Sequence, residues 1–308
     1  MTRAPRCVYG LIAFGVAAVS TSAIFVKLSG VPPVVLAFYR VLFAWLMLAP
    51  FLAARERAGL WSTPVRDAAL ALLSGVFLAL HYVVWFFSLR LTSVASSTVL
   101  VTTQPIWVML IAYLLWRERV TLPSLGGMGL ALVGAYFIGA HSATQGESNL
   151  FGDMLAIAAA ILVSGYLLIG QKLRSRMSLL VYVFFVYGAA AAVLGVMAAA
   201  MGLPLSGFAA REWWLFAGIA VVPTLMGHTV FNWALQHVPA SVVSVAILGE
   251  PVGTVLLAML ILGETPAPIQ VAAGLVILTG IGVFLHFRHA GPAVAAAGGA
   301  RRMGQGAK

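Results

Sequence analysis

Charge is what this chain has least of. Asp, Glu, Lys and Arg make up 8% of its 308 residues, where a soluble protein carries about a quarter. A surface facing water cannot be furnished from so few. A single cysteine, Cys7, excludes a disulfide framework within the chain. No G-x-x-x-x-G-K-[ST] loop is present and no connection is long enough for a soluble domain, which excludes a nucleotide-driven engine. G-x-S-x-G, H-E-x-x-H and a close carboxylate pair are also missing. His81 and His228 have no Cys or acidic neighbour in sequence to complete a metal site. No catalytic residue, metal or cofactor is therefore expected. Alternating strand patterns are absent too, which argues against an outer-membrane barrel.

What the chain has is apolar length. Hydrophobic residues make up 62% of it, and a spanning helix needs roughly 20 of them in a row. Ten stretches qualify, at about 9–28, 33–54, 67–89, 93–116, 122–140, 151–171, 179–201, 212–235, 240–262 and 267–287. The first follows Arg3 and Arg6 as a signal peptide would, but it lacks a small-residue cleavage site and reads as a span. The net charge of +10 would suit nucleic acid until it is threaded. Fourteen of the 18 Lys and Arg then fall on the termini and the loops sharing their face, while Lys27, Arg90 and Arg211 lie on the other face and Arg40 inside span two. Positive residues mark the cytoplasmic side. Both termini are expected inside, and no nucleic-acid partner is expected.

The chain repeats. Gln104-Pro105 with Glu118 recurs as Glu250-Pro251 with Glu264, displaced by 146 residues (250 − 104 and 264 − 118). Gly134 and Gly280 fall in the same register, as do Trp85 to Leu89 and Phe231 to Leu235. The fold class expected is an all-α membrane protein of ten transmembrane helices arranged as two five-helix repeats. The first would occupy 1–141 and the second 150–290, with 142–149 an outside linker and 291–308 a disordered cytoplasmic tail. An odd number of spans per copy makes the copies inverted, a common way to build a secondary transporter.

The two five-helix halves, the Glu250-Pro251 turn, Gly263-Glu264 and the junction Ala234 to Ser241 (ALQHVPAS) resemble the ten-helix EamA-type members of the drug/metabolite transporter superfamily. The resemblance covers about 9–287. It implies export of small metabolites, often amino acids, from the bacterial cytoplasm across the inner membrane. Among these relatives the chain looks most like the aromatic amino acid exporters. Gln104 stands where the second copy has Glu250, so a symmetric acidic pair is not implied.

Polar side chains are costly in the bilayer and mark function. Thr224, His228 and Asn232 are spaced for one helical face, as are His81, Trp85 and Ser88, with Tyr82 beside them. Span four offers Ser96, Thr103, Gln104 and Trp107; span six Ser164 and Tyr166; span one Ser20 to Ser22; span nine Glu250 and Thr254. A cavity between spans one, three, four, six, eight and nine would gather them. The substrate-binding set expected is Arg40, His81, Tyr82, Trp85, Thr103, Gln104, Trp107, Tyr166, His228, Asn232 and Glu250. Interhelical hydrogen bonding is the competing role for each. Pro105, Pro251 and Pro223 are the expected hinges, since each removes a helical N–H. Gly127, Ala131, Ala135 and Gly139 form a small-residue stripe suited to a helix contact or a dimer seam. Monomer and homodimer both stay open. A small-molecule substrate and membrane lipid are the expected partners. Two alternatives stand beside the exporter reading. An efflux pump for lipophilic cations is disfavoured by the absence of Asp and Glu from 8–28, and an intramembrane enzyme by the missing motifs.

Overall fold

The computed structural model describes residues 6–92, 94–118, 120–143, 149–262 and 267–287. Arg3, Arg119, Gly263, Glu264, most of the expected linker and the expected tail at 291–308 lie outside them. Among the described residues every regular element is helical. Among the described residues nine helices are long and apolar enough to cross a membrane, and a shorter apolar helix runs over Leu122–Ile138.

Five of the apolar stretches fold as single long helices broken nowhere. They are α3 (Pro33–Arg55), α5 (Val65–Leu91), α9 (Leu150–Arg174), α10 (Leu179–Ala200) and α15 (Pro268–Phe287). A sixth, α8, spans Leu122–Ala143. Pro33, Ser178 and Asn149 mark starts in the usual way: Pro33 needs no N–H in the first turn, while Ser178 and Asn149 accept from the free N–H groups of theirs. Short α4 (Arg57–Trp61) lies in the loop between α3 and α5.

The remaining apolar stretches are interrupted, each next to polar residues. The first consists of α1 (Arg6–Val19) and α2 (Ser22–Leu28), parted at Ser20-Thr21. The fourth is α6 (Val94–Val101) and α7 (Gln104–Trp116), parted at Thr102-Thr103. The ninth is α13 (Ala240–Ile247) and α14 (Glu250–Leu257), parted at Leu248-Gly249 and followed by a π-helical turn, Ala258–Leu262. The last two breaks are 146 residues apart (248 − 102), the displacement of the sequence repeat. Both tighten in the same way, with Thr103 N–H donating to the Leu100 carbonyl at 3.2 Å and Gly249 N–H to the Ala246 carbonyl at 3.0 Å. Pro105 and Pro251 are thus not helix-interior kinks. Each is the second residue of a new helix, where its missing N–H has no partner to lose.

The eighth stretch holds α11 (Ala210–Ile219), a π-helix over Ala220–His228 and α12 (Thr229–Ala234). Pro223 sits inside the π segment. The Thr224 hydroxyl donates to the Ile219 carbonyl at 2.8 Å, satisfying an acceptor that the wide turn and the proline disturb. The wider winding also divides the expected stripe. Thr224 and Asn232 are buried at 0% exposure, while His228 is only half-buried.

Packing repeats along with the breaks. α5 lies on α9 and α10, as the π segment lies on α1 and α3. α3 packs on α10, and α8 packs along α15. A Cβ added at Gly280 would lie 2.4 Å from the Ala131 nitrogen and 2.6 Å from the Gly127 carbonyl. The small-residue stripe of α8 is therefore occupied by α15 of the same chain.

Candidate functional site

A buried cavity opens where the interrupted helices meet α5 and α9. It is lined by Val19 and Ser22, by His81 and Trp85, by Val101, Thr102 and Gln104, by Val163, Tyr166 and Leu167, by His228 and Phe231, and by Ile247 and Glu250. Six apolar stretches contribute, the first, third, fourth, sixth, eighth and ninth. About 30 Å³ is open to water centres, room for roughly two waters.

The second half-helices are tied at their starts to other spans. The Gln104 carbonyl accepts from the Ser164 hydroxyl at 3.2 Å, and the Glu250 carbonyl accepts from the Ser20 hydroxyl at 3.2 Å. Each hydroxyl is shared with a carbonyl of its own span, Ser164 with Ala160 at 2.7 Å and Ser20 with Val16 at 2.8 Å, so each start of a second half-helix is in contact with a serine of another span. Thr102 and Thr103 turn their hydroxyls onto the Val99 and Leu100 carbonyls at 2.9 and 2.7 Å.

Of the eleven expected residues, the structure brings His81, Trp85, Gln104, Tyr166, His228 and Glu250 to the cavity. His81 Nδ1 is 3.0 Å from the Ala159 carbonyl, and its ring stacks on Trp85 with centroids 5.9 Å apart. Five others sit behind the wall. Asn232 donates to the Tyr166 hydroxyl at 2.6 Å and so orients a lining ring. Tyr82 meets His228 edge-on at 5.6 Å and carries Arg40 on its face, 4.1 Å from the centroid, a cation–π contact worth about 2 kcal/mol when desolvated. Arg40 is fully buried and donates from Nε to Thr224 Oγ1 at 2.8 Å and from Nη1 to Ser22 Oγ at 3.4 Å. Thr103 and Trp107 are half-buried on α7 and its cap, beside the cavity rather than in it. Thr102, at the break between α6 and α7, lines the cavity where Thr103 was expected.

Ser22 lines the cavity as part of the Ser20 to Ser22 cluster; Thr102 and the apolar residues Val19, Val163, Leu167 and Phe231 were not signalled individually. Val101 and Ile247, four residues before Pro105 and Pro251, were signalled by those prolines, which leave their carbonyls without a helical N–H, and they are repeat mates just as Gln104 and Glu250 are.

Several buried polar atoms around the cavity have no hydrogen-bond partner in the protein. They include Trp85 Nε1, Gln104 Nε2, Arg40 Nη2 and Asn232 Oδ1. An unsatisfied buried group costs about 1–3 kcal/mol. Trp85 and Gln104 line the cavity themselves, while Arg40 and Asn232 stand behind its wall.

Two stretches, residues 7–140 and 150–285, match the model of the EamA-like transporter family. The chain belongs to that family. It is a multi-pass membrane protein. An uncharacterized transporter of Archaeoglobus fulgidus is 26% identical over 280 residues, covering 90% of this chain and 96% of its own length. An uncharacterized transporter of Synechocystis sp. is 26% identical over 203 residues, covering 64% of this chain and 60% of its own. A solved crystal structure shares the fold at TM-score 0.76 and 20% identity, covering 92% of this chain and 99% of that one. At that identity the likeness speaks to the fold alone. The family match carries the transport assignment.

Proposed function

We propose that this EamA-family transporter exports small zwitterionic metabolites, amino acids with aromatic or other neutral side chains, across the bacterial inner membrane. The ten apolar stretches are read as two inverted five-helix halves, about 1–141 and 150–290, with both termini in the cytoplasm. The double match of the family model and the paired helix breaks support that reading. A central site between inverted halves is opened to one side and then the other as they rock. The cavity in this conformation is smaller than an amino acid, so α6–α7 and α13–α14 must move apart at their breaks to admit one.

One observation carries the substrate class. Glu250, Trp85 and Gln104 line the same small cavity, and Trp85 Nε1 and Gln104 Nε2 are buried donors without a hydrogen-bond partner in the protein. An acceptor of negative charge and two idle donors suit the ammonium and the carboxylate of one zwitterion. Trp85, Tyr166, His228 and Phe231 offer ring faces and edges to its side chain. The test is counterflow in proteoliposomes with labelled amino acids, nucleobases and organic cations, with and without a proton gradient. Exchange of neutral amino acids is expected. Exchange of lipophilic cations with no amino acid exchange would replace this reading with that of a multidrug pump.

A further inference from the structure

The Arg40 guanidinium is a buried charge that neither hinge motion nor zwitterion docking has yet used. It is 0% exposed. Its partners are Thr224 Oγ1 at 2.8 Å, Ser22 Oγ at 3.4 Å and the Tyr82 ring at 4.1 Å. None of these is an anion, and among the described residues no carboxylate lies in an ion pair with it. Nη2 has no partner at all. The charge sits one side chain behind the cavity wall, because Ser22 lines the cavity and His81 and Trp85 flank Tyr82 on the lining helix. Glu250, His81 and His228 all lie within its electrostatic field.

Hydrogen bonds and one aromatic face do not offset the full cost of a cation in low dielectric, and the Glu250 carboxylate of the cavity, which makes no ion pair with Arg40, is engaged by the ammonium of a bound zwitterion. The solute's own carboxylate then supplies the negative charge that Arg40 lacks. An arriving cation without a carboxylate adds like charge on the other side of that wall, where little water is present to screen it. Tethering by Thr224, Ser22 and Tyr82 also prevents Arg40 from swinging away from such a solute. We infer that Arg40 is the charge filter of the cavity, admitting solutes that bring a carboxylate and rejecting amines that lack one. This rests on the proposed transport reading and narrows its substrate class. Glu250 and Arg40 then act as a spaced pair, one for the ammonium and one for the net charge. Arg40 is a specificity-determining residue acting through the wall rather than by contact.

The experiment uses three solutes sharing one ring: phenylalanine, phenethylamine and phenylpropionate. Exchange is measured in proteoliposomes, and binding by thermal stabilisation of the detergent-purified protein. Wild-type protein is expected to favour phenylalanine over phenethylamine by about tenfold or more in both readouts. Arg40→Gln is expected to raise the amine-to-zwitterion ratio by about tenfold, and Arg40→Lys to keep it near wild type. An unchanged ratio in a monodisperse Arg40→Gln protein overturns the filter and leaves Arg40 as helix glue. Should Arg40→Gln fail to fold, the wild-type comparison decides, since equal stabilisation by the amine and the zwitterion overturns the filter without any variant. Exchange of all three at one rate removes the filter and keeps the transporter. Stabilisation by the two carboxylates without exchange of anything keeps the filter and removes the transport reading. No exchange and no stabilisation removes both.

Discussion

Gln104 and Glu250 occupy the same place in the two copies of this chain. Each begins the second piece of a broken helix, each has its carbonyl 3.2 Å from a serine hydroxyl of another span, and each lines the same cavity. Only Glu250 can carry charge. The duplicated backbone has been kept while the side-chain chemistry at its centre has diverged, which gives the cavity a chemical polarity that the paired backbone breaks lack.

Glu250→Gln keeps the shape of that position and removes its charge. A hydrogen bond to a charged group is worth about 1.5–3 kcal/mol. The variant is expected to lose roughly ten- to a hundredfold in kcat/KM for amino acids, with an unchanged melting temperature. Full flux at every pH would take Glu250 out of the mechanism.

Trp85 separates binding from packing. Its Nε1 is buried with no partner in the protein, so Trp85→Phe breaks no internal hydrogen bond. If the indole N–H completes itself with substrate, KM rises about fivefold, while the melting temperature stays near wild type. A melting temperature that falls with KM unmoved assigns Trp85 to the core instead.

The α8–α15 contact is a test of fold alone. Gly280→Ala places a methyl group 2.4 Å from the Ala131 nitrogen, on backbone that cannot step aside. Overpacking of this kind costs about 1–3 kcal/mol, visible as a lower melting temperature. Gly282→Ala, two residues on, meets nothing within 4 Å and should be neutral. Equal behaviour of the two variants would show that the close approach of α8 and α15 is wrong.

Hydropathy made the apolar stretches legible to within a few residues, because the bilayer sets their length and composition. The repeat made Gln104 and Glu250 legible as a pair. Rotation about each helix was not legible. Arg40 is an example: the sequence shows it inside a span, but only Thr224, Ser22 and Tyr82, drawn from three other helices, hold it behind the cavity instead of in it. Thr102 is another, since it lies at the break before Pro105 and lines the cavity while Thr103 does not. Asn232 carried a true signal of burial. Its bond to Tyr166 depends on a tertiary neighbour 66 residues away, which no helical period reports.

The final prediction concerns two acidic residues that open the third and eighth stretches. Asp67, near the start of α5, pairs with Arg176 at 2.8 Å. Glu212, near the start of α11, accepts from the Ser29 hydroxyl at 2.7 Å and the Gly30 N–H at 3.1 Å. These contacts are near repeat mates, displaced by 145 to 147 residues (212 − 67 and 176 − 29). Each joins the first half of the chain to the second. If the halves are inverted, the Asp67 contact locks the cytoplasmic side and the Glu212 contact the outer side, and this conformation has both engaged. Asp67→Asn should then favour opening inward and Glu212→Gln opening outward, each by roughly three- to tenfold in population. A cysteine placed at Val163 in a Cys7→Ser background reports it, through labelling by an impermeant thiol reagent applied to right-side-out or inside-out vesicles. Labelling should rise from the outside in Glu212→Gln and from the inside in Asp67→Asn. A rise on the same side in both variants would mean the two acids share a face, which two inverted five-helix halves do not allow.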